Sequence, residues 1–427
     1  MSKFQITLLA VFAISIVAGV AAFSLYRGSS SESVAVTVWG DISSQDFNLL
    51  LNTPAIGQDR TFIVSYVEKS TETIEAEFTE ALARGMGPDL VILTQDKLWK
   101  NKPKLSIIPY TSVSERDFKT TFIEEGELFL DETGIYALPL SVDPLVLYYN
   151  RDLLSAAGQA RPIVYWDEIY KAAANLSKKD AAGNLVTSVM ALGEARNIHN
   201  AKDILSLLLL QAGTPITSFI GSELHSQITA NFGTPVLPGE AAFDFYTQFS
   251  NPTKVYYSWN RSLIDAQTHF TSGSSAYYLG FASELRVLKS KNPTLNLWIS
   301  FVPQSRISGK AITFGRLRAI AISRGALNPG AALALAAKLV SKEAALSLAE
   351  ILALPPARRD LLSLKPTNAV SSIFYDAALQ SRGWLDPDAV ATDAIFRAAI
   401  ESITSGRART LETVNKVDRE VEMLIKQ

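Results

Sequence analysis

The residues best suited to chemistry in this chain are aromatic rings set beside hydrogen-bonding groups. They are Trp39-Gly40-Asp41, Thr94-Gln95-Asp96-Lys97, Tyr257-Ser258-Trp259-Asn260 and Tyr277-Tyr278-Leu279-Gly280-Phe281. A flat ring offers an apolar face to the C–H surface of a sugar, while carboxylates, amides and guanidinium groups take its hydroxyls. Packing within a sheet is the competing use of such rings. Tyr277 reads as core, Trp259 stands open between core and ligand, and Trp298 in "LNLWISF" reads as core. Enzyme motifs are missing: there is no G-x-S-x-G, P-loop, H-E-x-x-H, or G-x-G-x-x-G after a strand. Glu124-Glu125 reads as a solvated helix face and Asp386/Asp388 as a turn about Pro387. His199, His225 and His269 have no metal-ligand spacing and read as surface or loop residues, so neither metal nor cofactor is expected.

Most of these groups fall at the ends of elements that must hold them. "SVAVTVWGDIS" is a β-branched run that delivers Trp39 and Asp41 at its end. Ile74, Phe78, Ala81 and Leu82 have helical spacing, Gly85 stops the helix, and Gly87-Pro88-Asp89 turns the chain into the short apolar strand "LVIL". Strand, helix, strand in this order indicates an α/β sheet, whose ligands bind beyond the carboxyl ends of the strands. Further on, Trp166-Asp167-Glu168-Ile169 opens an amphipathic helix, and Asn200 caps the apolar helix "AKDILSLLLLQAG". "AITFGRLRAIAIS" is a strand pair or a bent strand. One segment breaks the pattern: "ALPLSVDPLVLYYNRDLLSAAG" sets Asp143-Pro144 inside an apolar run, where a buried charge and a missing ladder donor are both costly. Such a segment fits a strand that leaves one body and enters another.

The bulk numbers agree with two bodies. A chain of 427 residues exceeds what one hydrophobic core usually organises. With 48% hydrophobic and 19% charged residues and a net charge of −2, nothing points to nucleic acid. The absence of cysteine excludes disulfides, thiolate nucleophiles and cysteine-held metals. From Phe4 to Tyr26 the chain is almost wholly apolar. As a helix it would be about 34 Å long, enough to span a bilayer core. Lys3 favours the N-terminus inside, Arg27 opposes that bias, and "RGSSSES" is a flexible tether. The reading is a single N-terminal transmembrane anchor over 1–33 with the rest extracytoplasmic; cleavage at Val20-Ala21-Ala22 and secretion is the alternative.

Several stretches together resemble the family 1 extracellular solute-binding proteins of ABC importers, the maltose-binding-protein-like group. They are "GMGPDLVIL", the Asp143 segment, "YWDEIYKAAANLSKKDAAGN", "AKDILSLLLLQAG", "YSWN…FTSGSSAYYLGF", "LNLWISFVPQ" and "PPARRDLL". The resemblance implies an α/β, two-lobe periplasmic-binding-protein-like fold of type II with a hinge between the lobes. Lobe one would hold 34–140 plus 304–343, and lobe two 141–303 plus 344–427, with crossings near Leu138–Asp143, Val302–Ser305 and Ser341–Leu348. It also implies ligand contacts from Trp39, Asp41, Gln95, Asp96, Lys97, Asp143, Asn197, Asn200, Trp259, Tyr278, Phe281, Arg316 and Arg358 or its neighbour Arg359. Two departures bear on the ligand: "FASEL" follows Gly280, and Phe314-Gly315-Arg316 stands where many members carry Tyr-Trp-Gly, replacing a stacking platform by a cation. The implied function is a non-catalytic, monomeric binding protein that captures a small solute, a sugar above all, for an ABC permease. An extracytoplasmic carbohydrate-active enzyme using two of Asp41, Asp96 and Asp143, and a ligand-sensing receptor subunit, are the alternatives.

Overall fold

Val34–Gly40 (β1) is a strand, as its β-branched run predicts, and it pairs in parallel with Phe62–Glu68 (β2) and Leu90–Thr94 (β3). A computed structural model of the chain describes residues 33–231, 233, 236–306 and 309–427. The proposed anchor over Phe4–Tyr26 and its cleavage site lie outside those residues. Among the described residues no helix is long and apolar enough to cross a membrane. The sheet continues through Ala137–Asn150 (β4), Leu185–Met190 (β5), Ser275–Phe281 (β6), Leu297–Ser300 (β7) and Thr313–Ser323 (β8). The order of its longer strands is β2-β1-β3-β8-β4-β6-β5, with β7 added on β4.

One sheet serves two hydrophobic cores. The first gathers Val36, Val38, Leu90, Val142 and Leu317; the second gathers Leu145, Val146, Leu205, Trp259 and Phe314. Membership therefore changes between Val142 and Leu145 on β4 and between Phe314 and Leu317 on β8. After the helix Lys342–Leu352 membership alternates: Leu348, Ala357 and Leu362 pack in the first core, and Leu354 and Phe374 in the second. Val302 belongs to the second core, with Gln304 bridged to Tyr165, while Ala344 and Leu348 pack in the first.

The interruption at Asp143-Pro144 has a ladder explanation. One edge of β4 is paired throughout with β8 as far as Pro144. The opposite edge is paired with residues 355–357 up to Val142, through Val142 N–H to Pro355 O at 2.9 Å, and with β6 from Leu145 onward. Asp143 and Pro144 occupy the gap between those two partners, where the chain needs no ladder donor on that side.

Two side chains depart from expectation for reasons of register. Trp298 is 48% exposed, because alternation on the edge strand β7 turns Ile299 inward and Trp298 outward, where the Arg151 guanidinium covers its ring at 4.7 Å. His269 is buried on a helix and shares a hydrogen bond of 2.8 Å with Ser275 Oγ, so it is neither a surface nor a loop residue.

Candidate functional site

Directly opposed residues of adjacent strands share a face of the sheet, and the pairs here are Arg316 with Asp143 and Arg318 with Ser141. The intervening Leu140, Val142 and Leu317 point into the first core. Ser141, Asp143, Arg316 and Arg318 therefore form one polar row on the opposite face, at the place where the chain passes from one core to the other. Arg318 clasps Asp41, at the end of β1, with Nε 3.0 Å from both carboxylate oxygens. Arg316 reaches Asp203 at 2.8 Å, in the first turn of the helix Ala201–Gln211, where a carboxylate also complements the helix dipole. Its guanidinium lies 3.8 Å from the centroid of the Phe281 ring. Asp143 is 3% exposed and accepts a hydrogen bond of 2.9 Å from the Ser283 backbone N–H. Burial pushes its carboxyl above the usual range, against the pull of that bond and of both arginines.

At one end of the row opens a cavity of about 490 Å³. Asp41, Ser43 and Arg318 line it from the first-core side, and Ser283, Arg286 and Phe374 from the second. At the other end the row continues into Lys202, which is bonded to Asp386 and to Thr392. Asp386 is 1% exposed, and burial raises its carboxyl to about 6 despite Lys202. Asp388 meets Lys100 at 2.6 Å. The Asp386/Asp388 pair is thus more than a surface turn: it ties the C-terminal segment to both sides of the seam.

The remaining sequence candidates have settled partners. Gln95 donates to Gly315 O and accepts from Leu317 N–H, holding the loop after β3 against β8. Lys97 bonds to Thr71 O. Asp96 stays beside the row, its charge acting on Lys202 and Arg316, with Oδ1 buried and without a hydrogen-bond partner. Trp39 is covered by the Lys69 ammonium at 4.1 Å. Trp259 is fully buried in the second core and donates from Nε1 to Asn197, whose amide is spent on Asn260 O and Leu263 O. Asn200 stands at the helix N-cap but gives its amide to Glu284, which also accepts from the buried Tyr278 hydroxyl. Arg358 bonds to Val340 O and Asp360, and Arg359 to Phe122 O, both away from the row. So Asp41, Asp96, Asp143, Phe281 and Arg316 come together; the other eight candidates do not join them. Sequence reasoning missed Arg318, Lys202, Asp203, Asp386 and Ser283. The i, i+2 spacing of "RLR" was a usable signal for Arg318, since both arginines of a strand must share a face.

Behind the row lies a buried carboxyl that the sequence places on a solvated face. Glu125 is 2% exposed, and its Oε2 accepts from Ser381 Oγ in the short strand Ser381–Arg382, which pairs with β8. Glycine is required opposite it: a Cβ on Gly315 would lie 1.8 Å from Ser381 Oγ. Burial raises the Glu125 carboxyl from 4.5 to about 7, countered by the Ser381 hydroxyl and Arg382. A carboxyl raised in the folded state stabilises least when ionised, so its contribution is lost as pH climbs from 4.5 through about 7. Glu125→Gln, which cannot titrate, is expected to gain stability relative to the parent across that window. Urea denaturation on either side of it checks this; parallel pH profiles for the two proteins would contradict it.

Comparison with known proteins follows from this geometry. The sequence profile described as bacterial extracellular solute-binding protein matches residues 57–371. A search of curated proteins by sequence finds no match. Among solved structures, a cyclo/maltodextrin-binding protein complexed with maltotetraose superposes with a TM-score of 0.72 at 17% identity, covering 93% of this chain and 99% of its own. A cyclic α-maltosyl-1,6-maltose binding protein from Arthrobacter globiformis gives 0.73 at 14% identity, with coverage of 92% and 99%. The maltose/maltodextrin-binding domain MalE from Bdellovibrio bacteriovorus, bound to maltotriose, gives 0.67 at 12%, with coverage of 92% and 100%. At these identities the likeness establishes the fold: two α/β lobes of the periplasmic-binding-protein kind.

Proposed function

The chain belongs to the bacterial extracellular solute-binding protein family, and from that premise we propose that it captures an oligosaccharide between its lobes and presents it to the permease of an ABC importer. The observation that carries the reading is the polar row of Asp143, Arg316 and Arg318 at the passage between two cores. Carboxylate and guanidinium groups there suit the hydroxyls of a sugar, and sugars are what the superposed proteins hold. Asp143 is too buried to meet a solute unless the lobes part, so capture works by opening and hinge closure. In this reading the lobes divide near residues 142–145 and 314–317, and again between Leu348 and Phe374, where the chain touches both cores. The protein acts as a monomer, held at the membrane by the apolar run at its N-terminus.

Closure is driven only by the preference of the solute for the closed form. A ligand that binds the native state alone at a hundred times its Kd adds about 2.7 kcal/mol of stability. A thermal-shift screen over oligosaccharides, polyols, peptides and phosphate esters is therefore expected to show a rise in melting temperature with an oligosaccharide. The sugar should be recovered intact by chromatography. A shift with none of the oligosaccharides would overturn the sugar assignment, and recovery of cleaved product would favour an enzyme.

A further inference from the structure

We propose that the solute is a sugar bearing an anionic group, a carboxylate or a phosphate, received by Arg286 and Lys289 in the cavity at the end of the row. The inference rests on the oligosaccharide reading above and names the class within it. The charged side chains that line this cavity are Asp41, Asp46, Arg286, Lys289 and Arg318. Arg318 and Asp41 satisfy each other, with Nη2 2.9 Å from Oδ2. Asp46 stands in the first turn of the helix Ser44–Leu51, where the dipole favours a carboxylate, and accepts from the Ser43 hydroxyl at 2.8 Å. Arg286 and Lys289 have neither an ion pair nor a hydrogen bond among the described residues. They lie three apart on the helix Leu285–Lys291 and so share one of its faces. Glu284, the nearest acid in sequence, is turned away from them: its carboxylate takes Phe281 N–H, Asn200, Gln267 and the Tyr278 hydroxyl. The wall is left with an excess of positive charge.

The rest of the lining suits the same ligand. The helix Ala369–Leu379 begins at the cavity, with its cap Asn368 and Ser371 in the wall, so the positive end of its dipole adds to the two cations. Arginine can grip a carboxylate or phosphate through two N–H groups, and lysine adds a point charge. Leu352 and Phe374 supply apolar surface for the C–H face of a ring. The volume of about 490 Å³ is that of a small-ligand pocket, about 300–1,000 Å³. A neutral sugar would fill this space and leave the charge unanswered; an anionic one answers it.

Titration calorimetry of the full chain at neutral pH and low salt tests this with matched pairs: trigalacturonate against its methyl ester, and maltose 6′-phosphate against maltose. At least one anionic sugar is expected to bind about tenfold or more tighter than its neutral counterpart, the scale of one charge-assisted hydrogen bond. The pair that shows the preference tells carboxylate from phosphate. The double variant R286Q/K289Q should erase it. The melting temperature of the free protein should not change, because both side chains are exposed and unpartnered. If neither pair shows a preference, or if the preference survives the double variant, the inference fails and the oligosaccharide reading stands. If no saccharide in the panel or the wider screen binds, both fail.

Discussion

Asp143→Ala is expected to abolish the ligand-induced rise in melting temperature while leaving a folded protein. The side chain sits where β4 changes partners, so no ladder hydrogen bond depends on it. Its removal leaves Arg318 with Asp41 and Arg316 with Asp203, which keeps both cations paired and confines the loss of stability to about 1–3 kcal/mol. Binding suffers more. Deleting one member of a buried, hydrogen-bonded charged constellation costs about 2–5 kcal/mol of affinity, a factor of about 30 at the least. Asp143→Asn keeps an acceptor for Ser283 N–H and separates the loss of charge from the loss of the hydrogen bond. Calorimetric titration of both variants gives the answer. A fully responsive Asp143→Ala protein would remove the row from the binding site.

The second large effect concerns the fold. Trp259→Ala should destabilise the protein by about 3–5 kcal/mol, the range for deleting a buried large aromatic side chain. The ring is fully buried, stands edge-on to His269 at 5.0 Å, and fills the second core beside the helix Ala201–Gln211. Trp259→Phe keeps most of the volume and loses the donor to Asn197, at about 1–3 kcal/mol. Neither loss involves the cleft, so the phenylalanine variant should bind solute as the parent does. Urea denaturation reports the first quantity and titration the second. A phenylalanine variant of near-normal stability that no longer binds would return Trp259 to the ligand site.

Elements with a clear period were legible from the residues alone. The strands β1 and β3 and the helix at 201 follow from β-branched runs, a continuous apolar strand and an uninterrupted leucine face. The break in β4 was legible because Asp143-Pro144 costs a desolvated charge and a ladder donor in an ordinary central strand. The change of core along β8 was not, since "TFGRLRAIAIS" reads as a strand wherever it runs, and only the two cores show where it changes sides. At the site, residue type told less than pairing. Asp386 and Glu125 carry the same side chains as any surface acid, and what buries them is a contact with Lys202 or Ser381 more than 180 positions away. Aromatic candidates were misleading for a related reason: a ring with polar neighbours suits a sugar and a satisfied core equally, as Trp259 and Asn197 demonstrate.

Small-angle scattering with and without a saturating oligosaccharide from the screen tests lobe closure most directly. Because Asp143 is reached only between parted lobes, the free protein should be the more expanded form, and the sugar should reduce its radius of gyration. Superimposable profiles, with binding verified in the same samples, would mean that the solute is taken up without the two lobes moving.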